Sequence, residues 1–224
     1  MIKKRYYSLL FVAFMSFTGL QEVHCQEWSL NPGVFYNGGL LQQRVYGAGL
    51  IAGIEYKPSR DHVYSIELRT KYAYYGFDDG TKWWEDADGN LIPPVNLDEA
   101  RVEYELFSPQ VSLVPKFYLR FDKPFSLFLE GEHGVGLMTG KFLFKGFDDK
   151  KTITETFFTY SAGVGIEYDD GDWVVIGSIG YSNLNFRNNI KKHLPAGYQE
   201  WLPNQNAPFY INLIFKIPLN SRWK

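Results

Sequence analysis

Apolar and polar side chains alternate with period two along most of this chain. The plainest case is residues 46–57, YGAGLIAGIEYK. Tyr46, Ala48, Leu50, Ala52, Ile54 and Tyr56 fall on one face, and Gly47, Gly49, Ile51, Gly53, Glu55 and Lys57 on the other. A strand sends alternate side chains to opposite faces, so this segment is a strand between an apolar and a polar environment. A tyrosine at each end of the apolar face suits a bilayer, whose headgroup zones favour Tyr and Trp.

Seven more segments read the same way: 28–37, 63–75, 102–120, 125–139, 156–168, 173–185 and 209–217. In 102–120, Pro109 and Pro115 remove ladder donors and predict a bulge. The links between segments alternate in size. Residues 57–61, 121–124 and 169–172 are tight polar turns, whereas 38–45, 76–100, 141–151 and 186–207 are larger loops. That alternation puts the short turns on one side and the long loops on the other, as in outer-membrane barrels. The expected fold is all-β, an eight-stranded antiparallel up-and-down transmembrane β-barrel.

The composition of the 224 residues fits this reading. Aromatics reach 18% although the mean hydropathy is −0.26, because lumen-facing polar residues dilute the lipid-facing ones. Residues 1–25 read as a signal peptide: Lys3, Lys4 and Arg5 precede the apolar run 8–20. Residues 26–224 form the barrel domain and carry 20 basic and 24 acidic residues, a balance with no support for nucleic-acid binding. Cys25 is the sole cysteine, but Glu22 and His24 stand where a lipoprotein signal carries Leu and a small residue.

The endings Gly53-Ile54-Glu55-Tyr56 and Gly165-Ile166-Glu167-Tyr168, and the run Val114-Pro115-Lys116-Phe117-Tyr118, accompany this strand pattern. On these features the chain resembles the small outer-membrane β-barrel family, of the OmpX and OmpA-membrane-domain type, and the "porin family" barrels of Bacteroidota. The resemblance covers residues 28–219 and implies the outer membrane of a Gram-negative bacterium. The chain departs from it by running on past the last strand through Asn220-Ser221-Arg222-Trp223-Lys224.

Inward charges cluster on neighbouring segments: Glu55, Glu67, Arg69, Lys71, Lys116, Arg120, Glu130, Glu132, Glu167 and Lys216. A barrel of eight strands is just wide enough for side chains to fill, so the cluster reads as a paired electrostatic plug. The alternative is a narrow passive channel. His133 is the odd residue, since strict alternation sends it outward. Barrel-type lipid A deacylases use an outward His with a Ser two positions on. Here Val135 occupies that position, and a bulge turning His133 inward beside Glu132 is the favoured account.

Asp86-Ala87-Asp88-Gly89-Asn90 resembles half of a calcium loop but equally a solvated turn. No cofactor motif is found. Trp83, Trp84 and Trp201, on the long loops, are the candidates for contact with an extracellular protein or surface ligand. The sequence therefore predicts a monomeric, non-enzymatic barrel in contact with outer-membrane lipid, serving envelope structure and surface interaction. A lipid-modifying barrel enzyme is the remote alternative.

Overall fold

The computed structural model describes residues 26–38, 45–59, 62–79, 84–85, 88, 91–92, 102–120, 124–144, 150–171, 173–186, 192 and 208–219. The strands are β1 (Glu27–Leu30), β2 (Gly33–Gly38), β3 (Val45–Lys57), β4 (Tyr64–Asp79), β5 (Trp84–Glu85) and β6 (Leu91–Ile92). After them come β7 (Val102–Arg120), β8 (Phe125–Phe144), β9 (Lys150–Asp169), β10 (Val174–Ser182) and β11 (Phe209–Pro218).

β1 and β2 are two halves of one stave, and both pair with β3 on one side and β11 on the other. At their junction the ladder continues through Asn31, whose N–H donates to the Gly53 carbonyl while its carbonyl accepts from the Gly53 N–H. Counting that stave once, eight antiparallel staves close into a ring, and β5 and β6 pair separately as a short hairpin. Closure satisfies the backbone without leaving an edge in the hydrocarbon.

The alternation read from the sequence decides which face is lipid-exposed. Leu50, Ile54, Leu68, Val111, Leu129, Val164 and Leu213 are exposed on the outside, while Glu55, Glu67, Arg69, Lys116 and Asn212 are buried within. The outward aromatics form two girdles. Trp28 and Tyr56 (centroids 4.9 Å apart) and Phe125 and Tyr168 (5.0 Å) mark the end with the short turns. Tyr36, Tyr46, Tyr74, Phe107, Tyr160 and Tyr181 are exposed toward the other end.

The predicted bulge at the prolines is corrected. β7 holds one register against β4 from Tyr64↔Phe117 to Asp79↔Val102. Against β8 the pairings lapse around Pro109 and Pro115 and resume unshifted. The lost donors cost local bonds without adding a residue. β8 and β9 also extend beyond their predicted ends, into what reads as a loop. Their outward positions there, Lys141, Thr152 and Thr154, are exposed and polar, so the two-faced signal vanishes where the wall rises out of the membrane.

The predicted signal peptide, with Cys25, lies outside the described residues, as do Trp83 and Trp201. The calcium-like run is described only at Asp88, and Trp84 is placed only through its pairing with Ile92.

Candidate functional site

Two arrangements of polar side chains stand back to back at β8, one in the bore and one on the outer face. The inner one contains nine of the ten predicted lumen charges; the Arg120 side chain lies outside the described residues. Arg69 is its centre and is fully buried. Its guanidinium grips Glu67 with two bonds of 2.9 Å, and it also reaches Glu130 (3.3 Å) and Glu132 (3.6 Å). Lys71 donates to Glu132 at 2.6 Å. Lys116 bridges Glu55 (2.9 Å) and Glu67 (2.7 Å), and Lys216 bridges Glu167 (3.2 Å) and Glu55 (3.4 Å).

Neutral donors complete the carboxylates. Ser65 and Asn31 donate to Glu55, Ser112 to Glu132, and Ser178 and Tyr210 to Glu130. Tyr118 stands within hydrogen-bond distance of both Glu55 and Glu167, and Lys57 lies 4.2 Å from the centre of its ring. Counting Lys57, five carboxylates meet five cations. Charge removed from water is tolerated only with such pairing, and these side chains fill the bore at this level. Sequence reading missed Tyr118, Tyr210 and Lys57, although their inward parity was visible.

The outer arrangement is centred on His133. It is exposed and faces outward, paired with Leu113 on β7 and Tyr160 on β9 in the unshifted register. The inward-turning bulge is therefore corrected: strict alternation holds, and Glu132 and His133 point to opposite sides of the wall. Directly opposed side chains on adjacent strands have Cβ atoms about 5 Å apart, so Tyr160 is the hydroxyl-bearing side chain that faces His133 across the ladder.

Asn183 holds the next place in the row. Its N–H donates to the Tyr160 carbonyl (3.0 Å), its Oδ1 accepts from the Tyr160 N–H (2.8 Å) and its Nδ2 donates to the Phe158 carbonyl (3.2 Å). The Asn183 side chain thus pins the backbone of Tyr160 just past the end of β10. Sequence reading singled out His133 but had no register with which to find Tyr160 and Asn183.

The depth of this row follows from pairing. Phe125↔Tyr168 lies in the lower girdle, and His133↔Tyr160 lies eight residues further along both strands. At about 3.3 Å per residue and a strand tilt of about 40°, the His133–Tyr160 pair stands ~20 Å above that girdle, within an apolar band about 25 Å tall. His133 thus sits at the outer-leaflet edge of the band, where acyl chains meet polar headgroups.

Comparison with known proteins agrees on an outer-membrane barrel and changes the function. The family described as Lipid A 3-O-deacylase (PagL) matches residues 64–189, more than half of the chain and the part that holds β4 to β10. No curated protein matches the chain. A major outer membrane protein from Thermus thermophilus is similar in structure at 12% identity and a TM-score of 0.55, over 88% of this chain and 100% of that one. Ail, the attachment invasion locus protein of Yersinia pestis, crystallised with the heparin analogue sucrose octasulfate, is similar at 16% identity and a TM-score of 0.44, over 87% and 97%. Neisserial surface protein A is similar at 9% identity and a TM-score of 0.41, over 88% and 96%. The chain is an outer-membrane β-barrel of Gram-negative type.

The family match overturns two expectations. A non-enzymatic barrel of the porin family is replaced by a barrel of an enzyme family.

Proposed function

Because the chain belongs to the lipid A 3-O-deacylase (PagL) family, we propose that it cleaves the 3-O acyl ester of lipid A at the outer face of β8 and β9. The observation that carries this reading is the family match over residues 64–189, a stretch that includes the outward His133. A histidine in a lipid-facing row is costly in structural terms alone. Its depth suits an ester, which lies between a lipid's hydrocarbon and its headgroup.

Val135 stands two positions after His133, where such deacylases carry a serine, so a water takes the nucleophile's place. His133 removes a proton from a water drawn from the headgroup zone, and the water oxygen adds to the ester carbonyl carbon. The Tyr160 hydroxyl donates to the carbonyl oxygen as it gains charge. Collapse breaks the bond between the carbonyl carbon and the lipid A oxygen. The proton held on His133 passes to that oxygen, leaving a free fatty acid and a 3-hydroxyl.

The test is the mass of lipid A incubated with the refolded barrel. Loss of one acyl chain is expected from the natural protein, and His133→Ala should slow it by about 10²-fold or more. Unaltered lipid A from a barrel shown to be folded by its heat-modifiable gel mobility would sink the deacylase reading. Full activity in His133→Ala would remove His133 from the reaction while leaving the family's chemistry intact.

A further inference from the structure

The bore changes character along its length. Asn37, Lys71, Glu132, Thr159, Ser161 and Ser182 line a small cavity beside the Arg69 network. Lys71 and Glu132, bonded at 2.6 Å, belong both to the cavity and to that network. Beneath them Arg69 is fully buried against Glu67 and Glu130. Leu184 also lines the cavity, and it shares one apolar cluster with Tyr75, Leu106, Met138, Ile153 and Phe186. These lie further toward the long loops: Tyr75 follows Lys71 along β4, Met138 follows Glu132 along β8, and Ile153 precedes Thr159 on β9. Phe186 packs edge-on against Tyr75 (centroids 4.9 Å apart) and Phe157 (5.7 Å). At this height the wall has reversed, since Thr152 and Thr154 are exposed outside while Ile153 between them is buried inside. Apolar packing therefore closes the bore above the cavity, as ion pairing closes it below.

Between these two closures polar atoms are left over. Asn37 Oδ1 and Ser161 Oγ are buried with no hydrogen-bond partner among the described residues, and both side chains line the cavity. A buried polar atom without a partner costs free energy, and water is the usual remedy where a polar site has room. The cavity offers a volume of about 10 Å³ to the centre of a guest, close to the least that holds one water. Its lining can supply the bonds that such a water makes. Asn37 Oδ1 accepts, the hydroxyls of Thr159 and Ser161 do either, and the Lys71 ammonium has donors beyond the one that Glu132 takes. The carboxylates and cations of the bore already balance, so a neutral guest suits the site and an ion would add unpaired charge.

We propose that this cavity is a water-binding site enclosed between the ionic floor at Lys71 and Glu132 and the apolar lid around Phe186. The bore is then wet at one height and sealed on both sides of it, so that neither water nor ions cross the barrel. The site owes nothing to the outer face and stands or falls independently of the deacylase reading.

The test is X-ray radiolysis of the refolded barrel, in which hydroxyl radicals formed at bound water add oxygen to adjacent side chains, read by peptide mass. Phe35 and Tyr210 line the cavity although only 4% and 1% exposed, and both should be oxidised. Met138 and Leu106, fully buried in the lid, should not be, although a thioether is the more reactive target. Asn37→Leu, close in volume but without a polar atom, should abolish the oxidation of Tyr210. Should that variant fail to fold, Ser161→Val poses the same question from β9. On mixing into heavy-oxygen water, the oxygen added at Tyr210 should stay the ordinary isotope for longer than at the exposed Trp173. Phe186→Ala should remove that lag.

Unoxidised Phe35 and Tyr210, or oxidation indifferent to both cavity substitutions, overturns the site. Oxidation of Met138 as heavy as that of Tyr210 overturns the lid, and the enclosure with it. An anomalous signal beside Lys71 in crystals soaked with bromide would make the guest an anion and equally overturn the proposal.

Discussion

Glu132 and His133 are adjacent in sequence and stand about one strand thickness apart, yet their surroundings have little in common. Glu132 is buried and bound by Lys71, Ser112 and the Arg69 guanidinium. His133 is exposed to the membrane, facing Leu113 and Tyr160. Inside, charged groups of opposite sign neutralise one another. Outside, His133 stands among large apolar neighbours such as Val135 and Leu129. Paired polar residues hold the bore together, and a polar side chain facing hydrocarbon is a candidate for function.

The sharpest way to break this contrast is to unpair the interior. Arg69→Met leaves Glu67, Glu130 and Glu132 without their shared cation, and should destabilise the barrel by about 3–5 kcal/mol, or prevent refolding, in urea titrations followed by gel mobility. Gly165→Ala should cost about 1–3 kcal/mol by forcing the Phe128 ring aside, and Phe128→Leu in the same chain should recover part of that loss. Ser178→Ala removes one donor (2.7 Å) from Glu130 and should cost about 1–2 kcal/mol, since bonds to charged groups exceed neutral ones. On the outer face the sign should reverse. His133→Leu should leave stability unchanged or raise it by up to about 1 kcal/mol, because an apolar residue suits the lipid face better, while lipid A deacylation is lost. A large destabilisation by His133→Leu would mean that the outer row is structural after all.

The fold was legible because closure and lipid exposure impose period two on nearly every stave, and residues such as Leu50, Leu68 and Leu213 carry it plainly. The lumen cluster was legible for the same reason, as parity alone sends Arg69, Lys116 and Glu130 to one side. Where the rule stopped working, physics outside the bilayer had taken over. The exposed polar outer positions of β8 and β9, Lys141, Thr152 and Thr154, look like loop because water lies on both sides of the wall there. His133 was noticed but explained away, because a lone polar residue has two accounts and only the register distinguishes them. Tyr160 was illegible: a tyrosine in a girdle is common, and only the register shows that it faces His133.

Lys216 gives the interior network a consequence for assembly. It lies on β11, the last stave, and its ammonium reaches Glu55 on β3 and Glu167 on β9. Glu55 can be given Lys116, Ser65 and Asn31 before β11 arrives, but not this final cation. The same stave supplies the Phe215 N–H to the Pro32 carbonyl at the seam. The ends of the chain are therefore sewn and charge-balanced in a single event. A barrel caught before that event carries both an open seam and an excess of negative charge in its bore, and each fault makes the half-built form less able to rest in the membrane than the finished one.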